Sequence, residues 1–325
     1  MSYGPSFFAT PALDHAFSGI GAGTVAVLCM QPLDLVKVQF QVSTAPPAGT
    51  WNPLKPIYHA LRNIKHQQGW RGLYRGLGPN VAGNATSWGF YFWFYTMIKH
   101  RMAEDDSGKL SSGKYLLASA EASSSIVTAL ITNPLWVVKV RMFTTRYDAP
   151  DAYRGILDGL RSIARTEGLR GLYRGTWLAL FGVSSGAIQF MAYEQMKNFA
   201  FARKKRRVLA EGGSWREGEE KLSNTTYTII SALAKLGALT STYPYQVIRS
   251  RLQNTGTTYP NFRTCIRRTW QEEGYKGFYR GLATNLVRVL PGTCVTFVVY
   301  ENLAWALRTS ALKREAARSR AKDLA

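Results

Sequence analysis

The sequence predicts an all-α membrane protein: six transmembrane helices grouped in three repeats. Three observations carry that prediction. Two motifs recur, in the same order, in each third of the 325 residues. Six stretches contain no Asp, Glu, Lys or Arg, two in each third. The net charge of +21, with 13% aromatic residues and nine Trp, suits basic loops and aromatic membrane interfaces.

The whole chain, 1–325, is predicted to form one transmembrane domain of repeats 10–108, 109–215 and 216–310, followed by a basic C-terminal tail at 311–325. No Lys or Arg precedes Lys37, so the N-terminus lacks both the basic start of a secretory signal and the arginines of a transit peptide. Any organellar address is therefore expected to be internal.

In the first repeat the uncharged stretch 16–33 runs into QPLDLVKVQFQ (31–41); GWRGLYRG follows from Gly69, and a second uncharged stretch covers 76–98. The second repeat has 122–138, NPLWVVKVRMF (133–143), GLRGLYRG from Gly168, and 175–193. The third has 236–248, YPYQVIRSRLQ (243–253), GYKGFYRG from Gly274, and 289–300. The prolines Pro32, Pro134 and Pro244 are 102 and 110 residues apart, so a unit of about a hundred residues is repeated. Helices of roughly 20 residues cross a hydrocarbon core of about 30 Å. Small residues, such as Gly19, Gly21 and Gly23 in the first span and Ser123 to Ser125 in the third, let helix backbones approach closely in lipid. A mean hydropathy of −0.15 is low for six spans and fits helices with one wet face.

A proline within a helix removes a hydrogen bond and bends the chain. Three equivalent bends bring the residues after them to a common axis: Asp34 and Lys37, Trp136 and Lys139, Gln246 and Arg249. Pairs closing across that axis make a gate.

The triplicated pattern Pro-x-Asp/Glu-x-x-Lys/Arg, then Gly and an aromatic-basic-Gly ending, resembles the mitochondrial carrier family over about residues 10 to 308. The resemblance implies six tilted helices around a central cavity, short matrix-side helices between them, and alternating access through two gates. It implies a matrix gate of Asp34, Lys37, Lys139, Gln246 and Arg249, with Trp136 in the same ring and Gln41 and Gln253 as braces; Phe143 replaces the third brace. Only the first repeat keeps its acidic residue, so one full ion pair is available, expected between Asp34 and Lys139. On the even-numbered helices, Tyr193, Glu194 and Lys197 match the second, cytoplasmic gate, with Lys99 and Tyr300 and Glu301 as partial matches. Snorkelling helix ends are the alternative for these residues. The YRG endings are similar to the family's cardiolipin-binding helix starts, where Gly76, Gly175 and Gly281 bring backbone N–H groups to a phosphate. An interfacial aromatic belt is the alternative there.

Substrate contacts of the family fall seven residues past the YRG endings, at Gly83, Gly182 and Arg288, with Asn84 and Val183 beside the first two. The arginine suits an anionic group, and the glycines leave room for a large one. Lys235 offers a second cation, Trp88, Tyr91 and Trp136 offer flat faces, and Glu121 with Lys235 could equally form a structural ion pair. Trp136 in the acidic position, with Tyr245 and Gln246 in the third motif, resembles the branch carrying FAD and folate; NAD and pyrimidine-nucleotide carriers are the alternative.

The resemblance implies transport across the mitochondrial inner membrane, by a monomer held in cardiolipin, of an anionic small molecule. FAD on this reading is cargo, and no cofactor is implied. A peroxisomal setting is the alternative location. Cys29, Cys265 and Cys294 are isolated, which points to no metal site, and the four scattered His suggest no enzyme. The cluster Arg203-Lys204-Lys205-Arg206-Arg207, expected in a loop, is the sole support for nucleic-acid binding; a solvated or lipid-facing run is the simpler reading, so no nucleic acid is expected.

Overall fold

The computed structural model describes residues 7–8, 11–44, 54–105, 113–211, 222–254 and 259–323. Six long helices, paired within each repeat by shorter connecting ones, follow in this order: α1 (Pro11–Val42), α2 (Leu54–Leu73), α3 (Leu77–Asp105), α4 (Gly113–Thr144), α5 (Ile156–Thr166), α6 (Gly168–Leu172), α7 (Thr176–Ala210), α8 (Asn224–Gln253), α9 (Phe262–Gly277) and α10 (Leu282–Asp323). The long helices α1, α3, α4, α7, α8 and α10 form a ring in chain order, which α10 closes by packing on α1. The helices α1, α4 and α8, which carry the three repeat prolines, also touch one another inside it.

Glycines make the repeats superimposable. Gly69, Gly168 and Gly274 have φ of 66°, 68° and 62°, and Gly76, Gly175 and Gly281 have 69°, 69° and 79°. In each repeat the first glycine turns the connecting helix, at Gly69 and Gly274 with ψ of −167° and −159° in a region essentially confined to glycine, and the second starts the next long helix. The prolines Pro32, Pro134 and Pro244 lie inside continuous helices.

The apolar core is divided. Leu35, Val36, Val140 and Phe143 pack with Ile64 and Leu73 of α2. Val137, Val138 and Met142 pack on Ile163 and Leu172. Ile248 and Leu252 pack with Leu178, Tyr259 and Cys265. Each cluster ties the proline end of a long helix to connecting segments, leaving the axis to polar groups. By length and apolarity, segments of α1, α4 and α10 suffice for membrane spans among the described residues.

Two sequence expectations shift. The basic cluster 203–207 lies in the last turns of α7, which runs on to Ala210, and not in a loop. The tail from residue 311 continues α10 as far as Asp323.

Candidate functional site

The ring encloses a cavity of about 540 Å³. Its floor holds Asp34 and Lys37 from α1, Trp136 and Lys139 from α4, Gln246 from α8 and Arg288 from α10. Asn84 and Lys235 also line it. Ala26, Val27, Met30, Leu239 and Val289 make an apolar wall. Four cationic side chains thus share the cavity with a single carboxylate, an arrangement whose positive field favours an anionic ligand.

That carboxylate is already engaged. Asp34 Oδ1 lies 3.0 Å from Arg288 Nη1, and Asp34 Oδ2 accepts from Asn80 Nδ2 at 3.3 Å. The expected Asp34–Lys139 pair is therefore corrected to Asp34–Arg288. The Lys139 ammonium lies 4.7 Å from the centroid of Trp136 and 5.3 Å from that of Phe143. Arg249 reaches the Tyr245 neighbourhood of α8, and its Nε is buried with no hydrogen-bond partner among the described residues.

The three positions seven residues past the YRG glycines form equivalent contacts. A Cβ on Gly83 would lie 3.5–3.6 Å from ring atoms of Trp136, and one on Gly182 would lie 3.1 Å from the Tyr245 hydroxyl. Arg288 meets Asp34. Each joins an even-numbered span to a neighbouring helix close past its proline, two residues on at Trp136 and Asp34 and one at Tyr245. The space expected beside the glycines is filled by these aromatic side chains, because removing a side chain on one helix lets the facing ring settle there.

Hydrogen bonds close the proline end of the ring. Gln41 Nε2 donates to the Tyr243 hydroxyl at 3.1 Å, and Ser250 Oγ donates to Gln41 Oε1 at 2.8 Å, joining α1 to α8. Gln253 Nε2 donates to Asn133 Oδ1 at 3.3 Å, joining α8 to α4. Gln39 Nε2 donates to the Phe143 carbonyl at 3.0 Å, joining α1 to α4. Phe143 fills the third brace position by packing: a Cβ on Gly76 would come within 2.6 Å of its ring.

Residues that sequence reading passed over also act here. The side chain before each proline is fully buried: Gln31, Asn133 and Tyr243. Gln31 Nε2 donates to the Arg75 carbonyl at 2.9 Å, Asn133 Nδ2 to the Leu172 carbonyl at 3.0 Å, and the Tyr243 hydroxyl to the Arg280 carbonyl at 3.0 Å. All three hold the segment that ends in YRG. Their shared place in the repeat was the available signal, hidden by their different chemistry.

A second overlooked set lies seven residues past the prolines. Arg141 pairs with Glu167 at 2.6 Å and Arg251 with Glu273 at 2.7 Å, each bracing a connecting helix. Arg141 draws the Glu167 carboxyl below the usual range through its hydrogen bonds. The first repeat has Gln39 and Gln68 at both places. Consequently Arg174 and Arg280 find Glu167 and Glu273, whereas the equivalent Arg75 bonds the Met142 carbonyl at 2.7 Å and leaves Nη2 without a hydrogen bond among the described residues. Beside it opens a cleft of about 1190 Å³ lined by Arg71, Arg75, Gly76, Arg154 and Gly155.

At the opposite end, Lys197 Nζ bonds Glu194 Oε1 at 2.6 Å within α7 and lies 5.6 Å from the Tyr193 ring centroid. Glu301 is exposed. Among the described residues these groups form no ion pair between helices. The side chains of Trp88, Tyr91, Lys99, Glu121 and Val183 lie outside the described residues.

Comparison with known proteins gives the same triplicate. A family model described as mitochondrial carrier protein matches residues 9–106, 108–204 and 220–310. The chain is 39% identical over 303 residues to a chloroplastic folate transporter of Arabidopsis thaliana, covering 91% of this chain and 96% of that one. It is 36% identical over 312 residues to a mitochondrial FAD carrier protein of Saccharomyces cerevisiae, covering 90% and 97%. A chloroplastic nicotinamide adenine dinucleotide transporter of Arabidopsis thaliana is 39% identical over 295 residues, covering 89% and 90%.

Proposed function

The chain belongs to the mitochondrial carrier family, and from that premise we propose that it moves FAD, or a related flavin or folate, across the mitochondrial inner membrane by alternating access. The observation that carries this reading is the cavity floor, where Lys37, Lys139 and Arg288 surround one carboxylate and Trp136 stands among them. Cations attract phosphates or a glutamate tail, and the indole suits a fused flat ring. Similarity to the folate transporter and the FAD carrier supports the same cargo. An NAD carrier is the second reading, favoured by the 39% identity with the nicotinamide adenine dinucleotide transporter.

In this reading the hydrogen-bonded proline end is the matrix gate, closed, with Asp34–Arg288 as its ion pair, and the far end opens to the cytoplasmic side. Glu194, Lys197, Tyr300 and Glu301 close that end in the opposite state, when the helices draw together there. Arg288 and Lys235 hold the cargo's anionic groups. Gly76, Gly175 and Gly281 serve cardiolipin phosphates, supported by the basic cleft at Gly76. The carrier works as a monomer, a reading supported by the axial cavity that a single chain encloses.

The test is reconstitution of the purified protein into liposomes, with uptake of labelled FAD, FMN, folate, NAD and pyrimidine nucleotides measured side by side. Flavin or folate uptake well above empty vesicles is expected. Good NAD uptake with flavin and folate at background would replace the first reading by the second.

A further inference from the structure

We propose that Lys139 is a specificity-determining residue acting through Trp136: its ammonium covers the indole until an anionic group on the cargo draws it away. The inference rests on the flat, anionic cargo argued above and deepens it, by stating how ring and charge are read together.

Trp136 and Lys139 are three residues apart on α4 and so share a face. The indole is held in place, because its Nε1 lies 3.3 Å from Thr132 Oγ1 as donor and the backbone of α3 passes close at Gly83. A Cβ there would be 3.5–3.6 Å from three consecutive ring atoms, which places the helix against the ring's face and not its edge. The Lys139 ammonium lies 4.7 Å from the same indole and 5.3 Å from Phe143. No carboxylate lies within ion-pair distance of it among the described residues; Asp34, whose oxygens meet Arg288 and Asn80, attracts it only at longer range.

An ammonium held by aromatic rings is held less strongly than one paired with a phosphate or carboxylate. A cargo anion entering the floor therefore wins Lys139 from the rings. The vacated indole surface then accepts the cargo's flat ring. A neutral ring arriving alone must displace a cation and gives it nothing in exchange. An anion arriving alone strips the indole and leaves it facing water. Each half of the cargo thus raises the affinity for the other, and the site selects molecules that carry both.

The first readout needs no assigned cargo. Emission due to Trp136, taken as the wild-type protein minus Trp136→Phe, is followed in detergent as pyrophosphate is added. A change is expected in the wild type and in Lys139→Arg, and none in Lys139→Gln. No change in the wild type, or the same change in Lys139→Gln, overturns the proposal. The second readout is binding of the neutral rings riboflavin and adenosine with and without pyrophosphate. Pyrophosphate should tighten ring binding about tenfold in the wild type, while Lys139→Gln binds the rings equally well in its presence and absence. Ring binding indifferent to pyrophosphate in the wild type also overturns it. Failure of flavin and folate uptake alongside an intact emission change would remove the cargo assignment and keep the role of Lys139. Normal flavin uptake with no emission change would do the reverse.

Discussion

At the scale of single residues, the pairing of Asp34 and the crowding around the glycines can each be tested by substitution. Asp34 has two candidate partners, Lys139 by repeat logic and Arg288 by position, and the ion pair goes to Arg288 at 3.0 Å. Asp34→Arg and Arg288→Asp should each lower thermal stability by about 2 kcal/mol, the scale of a hydrogen bond to a charged group. The double variant should recover most of that loss, whereas Asp34→Lys with Lys139→Asp should recover little. Equal rescue by both swaps would refute the assignment. Arg288→Ala should remove uptake and leave a folded protein. The glycines give a second test. Gly281 has a φ of 79°, and a Cβ there would lie 2.9 Å from the Lys37 carbonyl oxygen. Gly175 has a φ of 69° in the left-handed region, and a Cβ there would meet nothing closer than 3.5 Å. Gly175→Ala should cost about 1–2 kcal/mol from the left-handed backbone alone. Gly281→Ala should cost clearly more, because a backbone atom cannot step aside; equal melting temperatures for the two variants would show that crowding is relieved.

At the scale of elements, the connecting helices are held unequally. Arg251 and Glu273 are 0% and 3% exposed, whereas Glu167 opposite Arg141 is 28% exposed. Removing one partner of a buried pair strands the other charge and costs about 3–5 kcal/mol. Glu273→Ala should therefore destabilise by about that much, Glu167→Ala by less, and Gln68→Ala least, as read by thermal unfolding in detergent. An equal loss from all three would contradict the ranking. The same region contains Cys265, whose thiol burial pushes up to about 11. In folded protein near neutral pH, Cys265 should resist alkylation and become reactive only on unfolding, which peptide mapping by mass spectrometry would show. Labelling of Cys265 at the rate of a free thiol would place α9 in a looser state than its packing implies. The repeats made these elements legible beforehand: the YRG endings sit where α3, α7 and α10 begin. The arginine–glutamate braces were less legible, because the first repeat replaces both members by glutamine and so breaks the triplicate pattern.

At the scale of the whole molecule, the charge of +21 acquires a location. Four cations face one carboxylate in the cavity, so cargo is attracted before it is recognised. Raising salt from about 0.1 M to about 1 M shortens the screening length from about 10 Å to about 3 Å. The apparent KM for an anionic cargo should rise about tenfold over that range, with little change in maximal rate. A KM independent of salt would mean that the cavity field plays no part in capture. The sequence by itself determined the helical class, the three repeats and the cation-rich floor, because each is written in local composition and in motifs that recur in order. It did not determine which groups meet. Asp34 choosing Arg288, Trp136 and Tyr245 filling the space beside Gly83 and Gly182, and Glu194 pairing within its own helix all depend on how neighbouring helices are rotated and set in register. One residue turns a helix face by about 100°, so partners across helices are chosen by packing, and only the tertiary structure fixes that.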